Sequence, residues 1–193
     1  LVVAAPSGAG KSTITRALLA SEPELTLSIS VTTRQPRAGE QEGVHYLFRS
    51  QSQFDDMVAR RELLEHAGKF GRSYGTPRGP VEDALAAGRD VAFDIDWQGH
   101  RQLRAALPGD VVSVFILPPS MEQLDARLRG RGDDPTEIER RMLAAREEMS
   151  HWREFDHVVV NAELAVATSA VRSVLHAARS ATSRQVWLRR FAM

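Results

Sequence analysis

Leu1-Val2-Val3-Ala4-Ala5-Pro6-Ser7-Gly8-Ala9-Gly10-Lys11-Ser12-Thr13 opens the chain. Four apolar residues suit a buried strand, the Gly-rich segment suits a tight turn, and Ile14-Thr15-Arg16-Ala17-Leu18-Leu19 continues as an amphipathic helix. A strand, turn and helix in this order make a phosphate-binding device. The glycines let successive N–H groups converge on phosphate oxygens, and the helix adds the positive end of its dipole. Lys11 is placed to reach the outer phosphates of a nucleotide, and the Ser12 hydroxyl to ligate magnesium. Ala5 stands where the usual pattern has its first glycine. Alanine fits there provided its φ is negative, and Pro6 stiffens the next position.

Working outward, 193 residues suit one domain with insertions and a substantial apolar core. A formal net charge of zero argues against a nucleic-acid polymer as partner. There is no cysteine, which removes disulfides and a thiolate nucleophile and is compatible with a cytoplasmic setting. No apolar run has transmembrane length, so no membrane partner is expected. The chain begins inside a strand without an initiator methionine, so residues are expected upstream. Homo-oligomerisation is left open.

Apolar runs at 1–4, 27–30, 91–95, 111–117 and 158–160 read as buried parallel strands. Helical patterns fall at 11–21, 99–107, 120–129, 136–154 and 163–179, with capping-box pairs Ser120/Gln123 and Thr136/Glu139. The alternation predicts a doubly wound α/β core. Residues 31–85 break the rhythm with short strand-like pieces such as Tyr46-Leu47-Phe48 and one helix at 53–60, and read as an inserted subdomain. An Arg-rich pair of helices at 120–150 reads as a second insertion, able to close over a nucleotide.

Within the first insertion, Ser30-Val31-Thr32-Thr33-Arg34-Gln35-Pro36-Arg37 places two arginines around a proline, followed by Tyr46 and Tyr74-Gly75-Thr76. Each arginine alone reads as a solvated charge. Beside a phosphate-binding loop, two guanidinium forks and tyrosine hydroxyls read as a receptor for a phosphate monoester.

Here the chain resembles the guanylate kinase family over almost its whole length, in residues 5–13, 30–46, 63–76, 91–99, 116–120, 127–133 and 158–161. The resemblance implies an α/β P-loop nucleoside monophosphate kinase fold with a five-stranded parallel sheet. It further implies one domain spanning 1–193: a core of 1–30, 86–119 and 151–193, a GMP-binding subdomain at 31–85 and a helical lid at 120–150. It implies transfer from magnesium-ATP to GMP in the cytoplasm, as part of purine metabolism. Ser30, Arg34, Arg37, Tyr46, Glu65, Tyr74, Thr76 and Asp96 match the positions that bind or organise GMP. The arginines and tyrosines correspond to its phosphate, and Glu65, Ser30 and Thr76 to its base. Arg127, Arg131 and Arg141 match lid arginines that close on the transferring group, and Asn161 an adenine-side contact.

Glu65 also has an argument of its own. Guanine presents N1–H and the exocyclic N2 amine side by side, and one ionised carboxylate accepts both. Adenine leaves that carboxylate unpaired, a mismatch worth on the order of 10⁴-fold in discrimination.

Asp94 and Asp96 end a strand at the carboxyl edge where α/β proteins bind ligands, and alternation puts them on one side. By resemblance Asp96 orients Arg34 or magnesium-bound water, while Asp94 has a backbone-capping alternative. Phosphoryl transfer to an anionic acceptor needs alignment and charge screening more than a strong base, so the candidate catalytic residues are cations: Lys11, Arg34, Arg37, Arg127, Arg131 and Arg141. Arg129, Arg140 and Arg146 read as solvated helix charges, and Asn161 has a helix-capping alternative. His66 beside Glu65 reads as a partly buried bystander, Trp97 as core filler, and the six histidines lack zinc spacing. Two other readings are a kinase acting on ribose bisphosphate, which needs no base-reading carboxylate, and a non-catalytic guanylate-kinase-like interaction module, which typically lacks the phosphate loop.

Overall fold

A computed structural model of the chain describes residues 1–69, 71–130 and 134–185. In chain order the elements are β1 (Val2–Ala4), α1 (Lys11–Ser21), β2 (Leu25–Leu27), β3 (Val31–Thr32), β4 (Leu47–Phe48) and α2 (Gln51–Ala59). β5 (Leu63–Lys69), β6 (Arg72–Pro77), α3 (Arg78–Ala86), β7 (Asp90–Asp94) and α4 (Trp97–Ala106) follow. The last are β8 (Ser113–Leu117), α5 (Met121–Arg129), α6 (Pro135–Ser150), β9 (His157–Val160) and α7 (Leu164–Ser180). The five parallel strands run in the order β2-β7-β1-β8-β9, and a separate four-stranded sheet runs β4-β3-β6-β5. This is the α/β architecture that the alternating apolar runs predict.

The chain divides into two compact units. One holds Leu1, Ala5–Ser21 and Val112–Met193. In it β8 and β9 pair in register from Val114 with His157 to Leu117 with Val160. Asp156 fastens their start, because its carboxylate accepts from the Ser113 N–H at 2.9 Å and the Ser113 hydroxyl at 2.8 Å. Leu124 and Leu128 of α5 pack on Ile138 and Ala145 of α6, with Met121 and Met142 alongside, so the Arg-rich helices share an apolar seam. Asp134 caps α6 through the Thr136 N–H and Pro135 takes the first helical position. The expected cap at Thr136 is therefore displaced by two residues. Proline suits a first-turn position, where its missing N–H leaves no hydrogen bond unmade.

The other unit holds Val2–Ala4 and Glu22–Val111. Here β7 is flanked in parallel by β1 and β2. The apolar run at 27–30 is not one strand. β2 ends at Leu27, the Ser28 N–H still donates to the Ala92 carbonyl at 2.9 Å, and the Ser30 carbonyl already accepts from Leu47 of the other sheet at 2.9 Å. One run thus bridges two sheets. The four-stranded sheet buries Val31, Phe54 and Leu63, with Leu47, Met57 and Val58 against them. α2 carries a reciprocal capping box, Ser50 with Gln53, which fixes its start.

The edge strand β9 departs from the expected two-sided burial: Val158 and Val160 are 39% and 51% exposed. A strand at the end of a sheet lacks a neighbour on one side, and only its alternate Val159 is buried.

Candidate active site

In the first unit the phosphate-binding loop takes shape from its glycines. Gly8 and Gly10 have φ of +93° and +98°, conformations that L side chains avoid. The only described non-glycine residue with positive φ is Arg61, so Ala5 meets the condition set for it. The Ala9 N–H closes a turn onto the Pro6 carbonyl at 3.1 Å, and the Gly10 carbonyl accepts from Thr13 and Ile14 to start α1. Ser12 and Thr13 are exposed at that helix start and Lys11 is half-buried.

Both glycines are also sterically required. A Cβ on Gly8 would lie 2.9 Å from Leu124 and 3.0 Å from Leu128 of α5. A Cβ on Gly10 would overlap the Asn161 side-chain amide. Asn161 is buried, and its Nδ2 donates to the Ala9 carbonyl at 2.7 Å. Its helix-capping alternative does not hold: the residue preceding α7 is Glu163, which makes no side-chain cap. Arg127 donates to the Asn161 main-chain carbonyl at 2.9 Å. The loop, the end of β9 and the helix α5 are therefore linked through Asn161.

Other arginines of α5 and α6 have local partners. Arg141 donates to Glu137 at 2.8 Å and Arg140 at 2.9 Å, and these bonds hold the Glu137 carboxyl below its ordinary range. Arg129 pairs with Asp125, one turn away on the exposed face of α5. Arg131 lies outside the described residues.

In the second unit Glu65 and Thr76 stand opposite each other on β5 and β6. Glu65 is 4% exposed and Thr76 fully buried, with the Thr76 hydroxyl donating to Glu65 Oε1 at 2.6 Å. A Cβ on Gly99 would approach Glu65 Oε2 to 2.6 Å, so the first turn of α4 has room for this carboxylate only because residue 99 is glycine. Gln102 locks α4 to β5 by accepting from the His66 N–H at 3.0 Å and donating to the His66 carbonyl at 2.8 Å. This amide pairing, unread in the sequence, fixes the backbone next to Glu65.

Arg34 lies with its Cζ 5.3 Å from the centre of the Tyr46 ring, and Tyr46 meets Tyr74 edge-on with centroids 6.2 Å apart. The two aromatic hydroxyl bearers and one guanidinium thus gather as expected. The carboxylate that orients Arg34 is Glu40, at 2.8 and 2.9 Å. Orienting Arg34 was one of two roles expected of Asp96, the other being toward magnesium-bound water. Asp96 instead caps α4, accepting from the Gln98 and Gly99 N–H groups at 3.0 Å each. The helix starts at Trp97, two residues before the predicted run, which puts Asp96 at its N-cap. Sequence reading gave Glu40 no role; the signal that could have found it is a single acid directly after the glycine of a turn that follows two arginines. The Glu40 carboxyl is held down at about 2 by its bonds to Arg34 and the Arg37 N–H. Arg37 is exposed, and Ser30 sits where the chain passes between the two sheets.

The guanylate kinase family model matches residues 1–178. A guanylate kinase of Granulibacter bethesdensis is 66% identical over 98% of this chain and 89% of its own length. That of Gluconobacter oxydans is 65% identical over 96% and 89%. Among solved structures, guanylate kinase from Anaplasma phagocytophilum superimposes with a TM-score of 0.83 at 36% identity, over 98% of this chain and 90% of that one. With the glycine-shaped phosphate loop and the buried Glu65–Thr76 pair in place, these matches over nearly the full length mean that the chain belongs to the guanylate kinase family.

Proposed function

We propose that this chain transfers the γ-phosphoryl group of magnesium-ATP to GMP, giving ADP and GDP, in cytoplasmic purine nucleotide recycling. The observation that carries the reading is Glu65: a buried carboxylate, held by the Thr76 hydroxyl and admitted by Gly99, suited to the paired donors of guanine. Ser30 and Thr76 complete the base contacts, and Arg34, Arg37, Tyr46 and Tyr74 take the GMP phosphate. Asp96 organises this side by capping α4 next to Gly99. Residues 31–85 serve as the acceptor-binding subdomain and 120–150 as the lid.

On the donor side, residues 5–13 wrap the ATP phosphates with backbone N–H groups and Lys11 screens the outer ones. Asn161 supports the loop through Ala9 and presents its remaining amide capacity to the adenine side. Ser12 is exposed in the first turn of α1, directly behind the left-handed Gly10. Magnesium keeps most of its ligands as water and phosphate oxygens, so one hydroxyl at this place fits it. The ion, when bound, neutralises charge on the transferring group.

The acceptor oxygen of GMP is already anionic. The protein therefore needs to align two anions that repel each other, and Lys11, Arg34, Arg37, Arg127, Arg131 and Arg141 supply the screening charge. Arg127 would exchange its Asn161 carbonyl, and Arg141 its Glu137 partner, for phosphate oxygens as the lid closes. Closure excludes water and so limits ATP hydrolysis.

A coupled ADP-release assay with magnesium-ATP and, separately, GMP, AMP, UMP, dTMP and ribose 1,5-bisphosphate tests the reading. Turnover should be confined to GMP among these acceptors. Turnover with the bisphosphate would move the chain to a sugar-phosphate kinase, and binding of ATP without any turnover would favour an interaction module.

A further inference from the structure

Glu40 belongs to no expected set of site residues, yet its carboxylate ties together both arginines of the acceptor turn. Both oxygens engage Arg34, Oε1 to Nη2 at 2.8 Å and Oε2 to Nη1 at 2.9 Å. Oε2 also accepts from the Arg37 N–H at 2.7 Å. The Glu40 N–H returns to the Arg37 carbonyl at 3.0 Å, closing a turn in which Gly39 takes a φ of +83°. One side chain therefore fixes both the guanidinium of Arg34 and the backbone that carries Arg37. The Arg34 and Glu40 side chains are only 14% and 17% exposed, so this is not a loose surface pair.

Counting donors decides what the pair does. A guanidinium has five N–H groups in a planar fork. Nη1 gives its two protons to Glu40 and to the Gln35 carbonyl, the latter at 2.8 Å, and Nη2 gives one to Glu40. The end of the fork is saturated. What remains is the Nε edge with the second Nη2 proton. A fork bound bidentately at its end keeps a second bidentate edge, so a carboxylate and a phosphate need not compete for it.

We propose that Glu40 is a positioning residue for the acceptor phosphate: it clamps Arg34 by the end of its fork, leaves the Nε–Nη2 edge for the phosphate, and sets the Arg37 backbone in the same turn. The inference rests on the proposed GMP phosphorylation and adds a residue to it. Its energetic content is pre-organisation. Freezing a rotamer-rich arginine when ligand arrives costs binding free energy, and the clamp moves that cost into folding. Phosphate-bearing ligands gain from this, whereas the nucleoside alone, which meets Glu65 and not Arg34, does not.

The test uses the full chain, with KM for GMP, KM for ATP, kcat and the inhibition constant of guanosine measured for the unaltered protein, Glu40→Gln, Glu40→Asp, Arg34→Lys and the Glu40→Gln/Arg34→Lys double variant. Glu40→Gln should raise KM for GMP about 5–10-fold, the equivalent of a lost charge-assisted bond pair after solvent compensation. KM for ATP and the guanosine constant should stay within about twofold, because neither ligand meets the clamp, and Glu40→Asp should recover part of the loss. The double variant should be no worse than Arg34→Lys, since both changes act through one fork. An unchanged or lower KM for GMP in Glu40→Gln would overturn the inference by making the carboxylate a competitor. Equal weakening of guanosine would overturn it by reducing Glu40 to a general stabiliser of the turn. Absence of GMP turnover in the unaltered chain would overturn the GMP kinase reading itself, and this inference with it.

Discussion

The Glu65 carboxylate and the Thr76 hydroxyl meet at 2.6 Å across the β5–β6 ladder, both buried, with Gly99 leaving the space beside them. The hydroxyl gives Glu65 Oε1 a partner that does not depend on ligand, which fixes the carboxylate plane before a base arrives. Replacing Thr76 by Val keeps the shape and removes that bond. A lost hydrogen bond to a buried charge is worth about 1.5–3 kcal/mol, so kcat/KM for GMP should fall by roughly 10–100-fold. KM for ATP, measured in the same preparation, should hold.

Gly99→Ala applies pressure to the same carboxylate from the other side. Its Cβ would sit 2.6 Å from Glu65 Oε2, closer than packed atoms tolerate. The helix start should survive, because Asp96 keeps its cap. GMP affinity should drop by about tenfold or more, with a modest change in melting temperature typical of overpacking at about 1–3 kcal/mol. Isothermal titration with GMP, beside a thermal melt, separates the two effects.

The donor loop depends on Asn161. Asn161→Ala removes the 2.7 Å bond to the Ala9 carbonyl and leaves that buried acceptor short of a partner, a loss of about 1–3 kcal/mol. Asn161→Asp puts an acceptor against the carbonyl and should be at least as damaging. Both should raise KM for ATP well above any change in KM for GMP, as read by varying each substrate at saturation of the other.

The Glu40–Arg34 pair gives a pH signature with a definite sign. The Glu40 carboxyl is lowered from an ordinary value of 4.5 to about 2, chiefly by Arg34 and next by the Arg37 N–H. A depressed carboxyl stabilises the fold fully above its unfolded value and loses that contribution as pH falls through its folded value. The melting-temperature difference between the unaltered chain and Glu40→Gln should therefore be constant above about pH 5.5 and shrink between about pH 4.5 and 2. A difference that grew on acidification would contradict the pairing.

Much of this site was legible because its signals are local. Gly8 and Gly10 announce positive φ, and their neighbours in sequence form the strand and helix on either side. The base-reading role of Glu65 was argued from donor geometry, but its Thr76 partner and the Gly99 gap depend on strand register and helix docking, which short windows do not carry. Glu40 went unread beside Asp96 for a related reason: either carboxylate suits an arginine, and only the turn at Gly39 brings Glu40 back onto Arg34. The run at 27–30 read as one strand because apolar content does not mark where a chain changes sheets. α3 went unread since Gly79 and Pro80 look like breakers, although both lie in its first turn, where proline is tolerated.

The measurement that tests the central claim most directly follows the phosphorus itself. The full chain is incubated with magnesium, GMP and ATP labelled at the γ position, and the products are separated. Label should appear in the β position of GDP, in amounts matching ADP formed, and should vanish in Lys11→Ala. Label released only as inorganic phosphate, or ATP bound with no label leaving it, would contradict phosphoryl transfer to GMP.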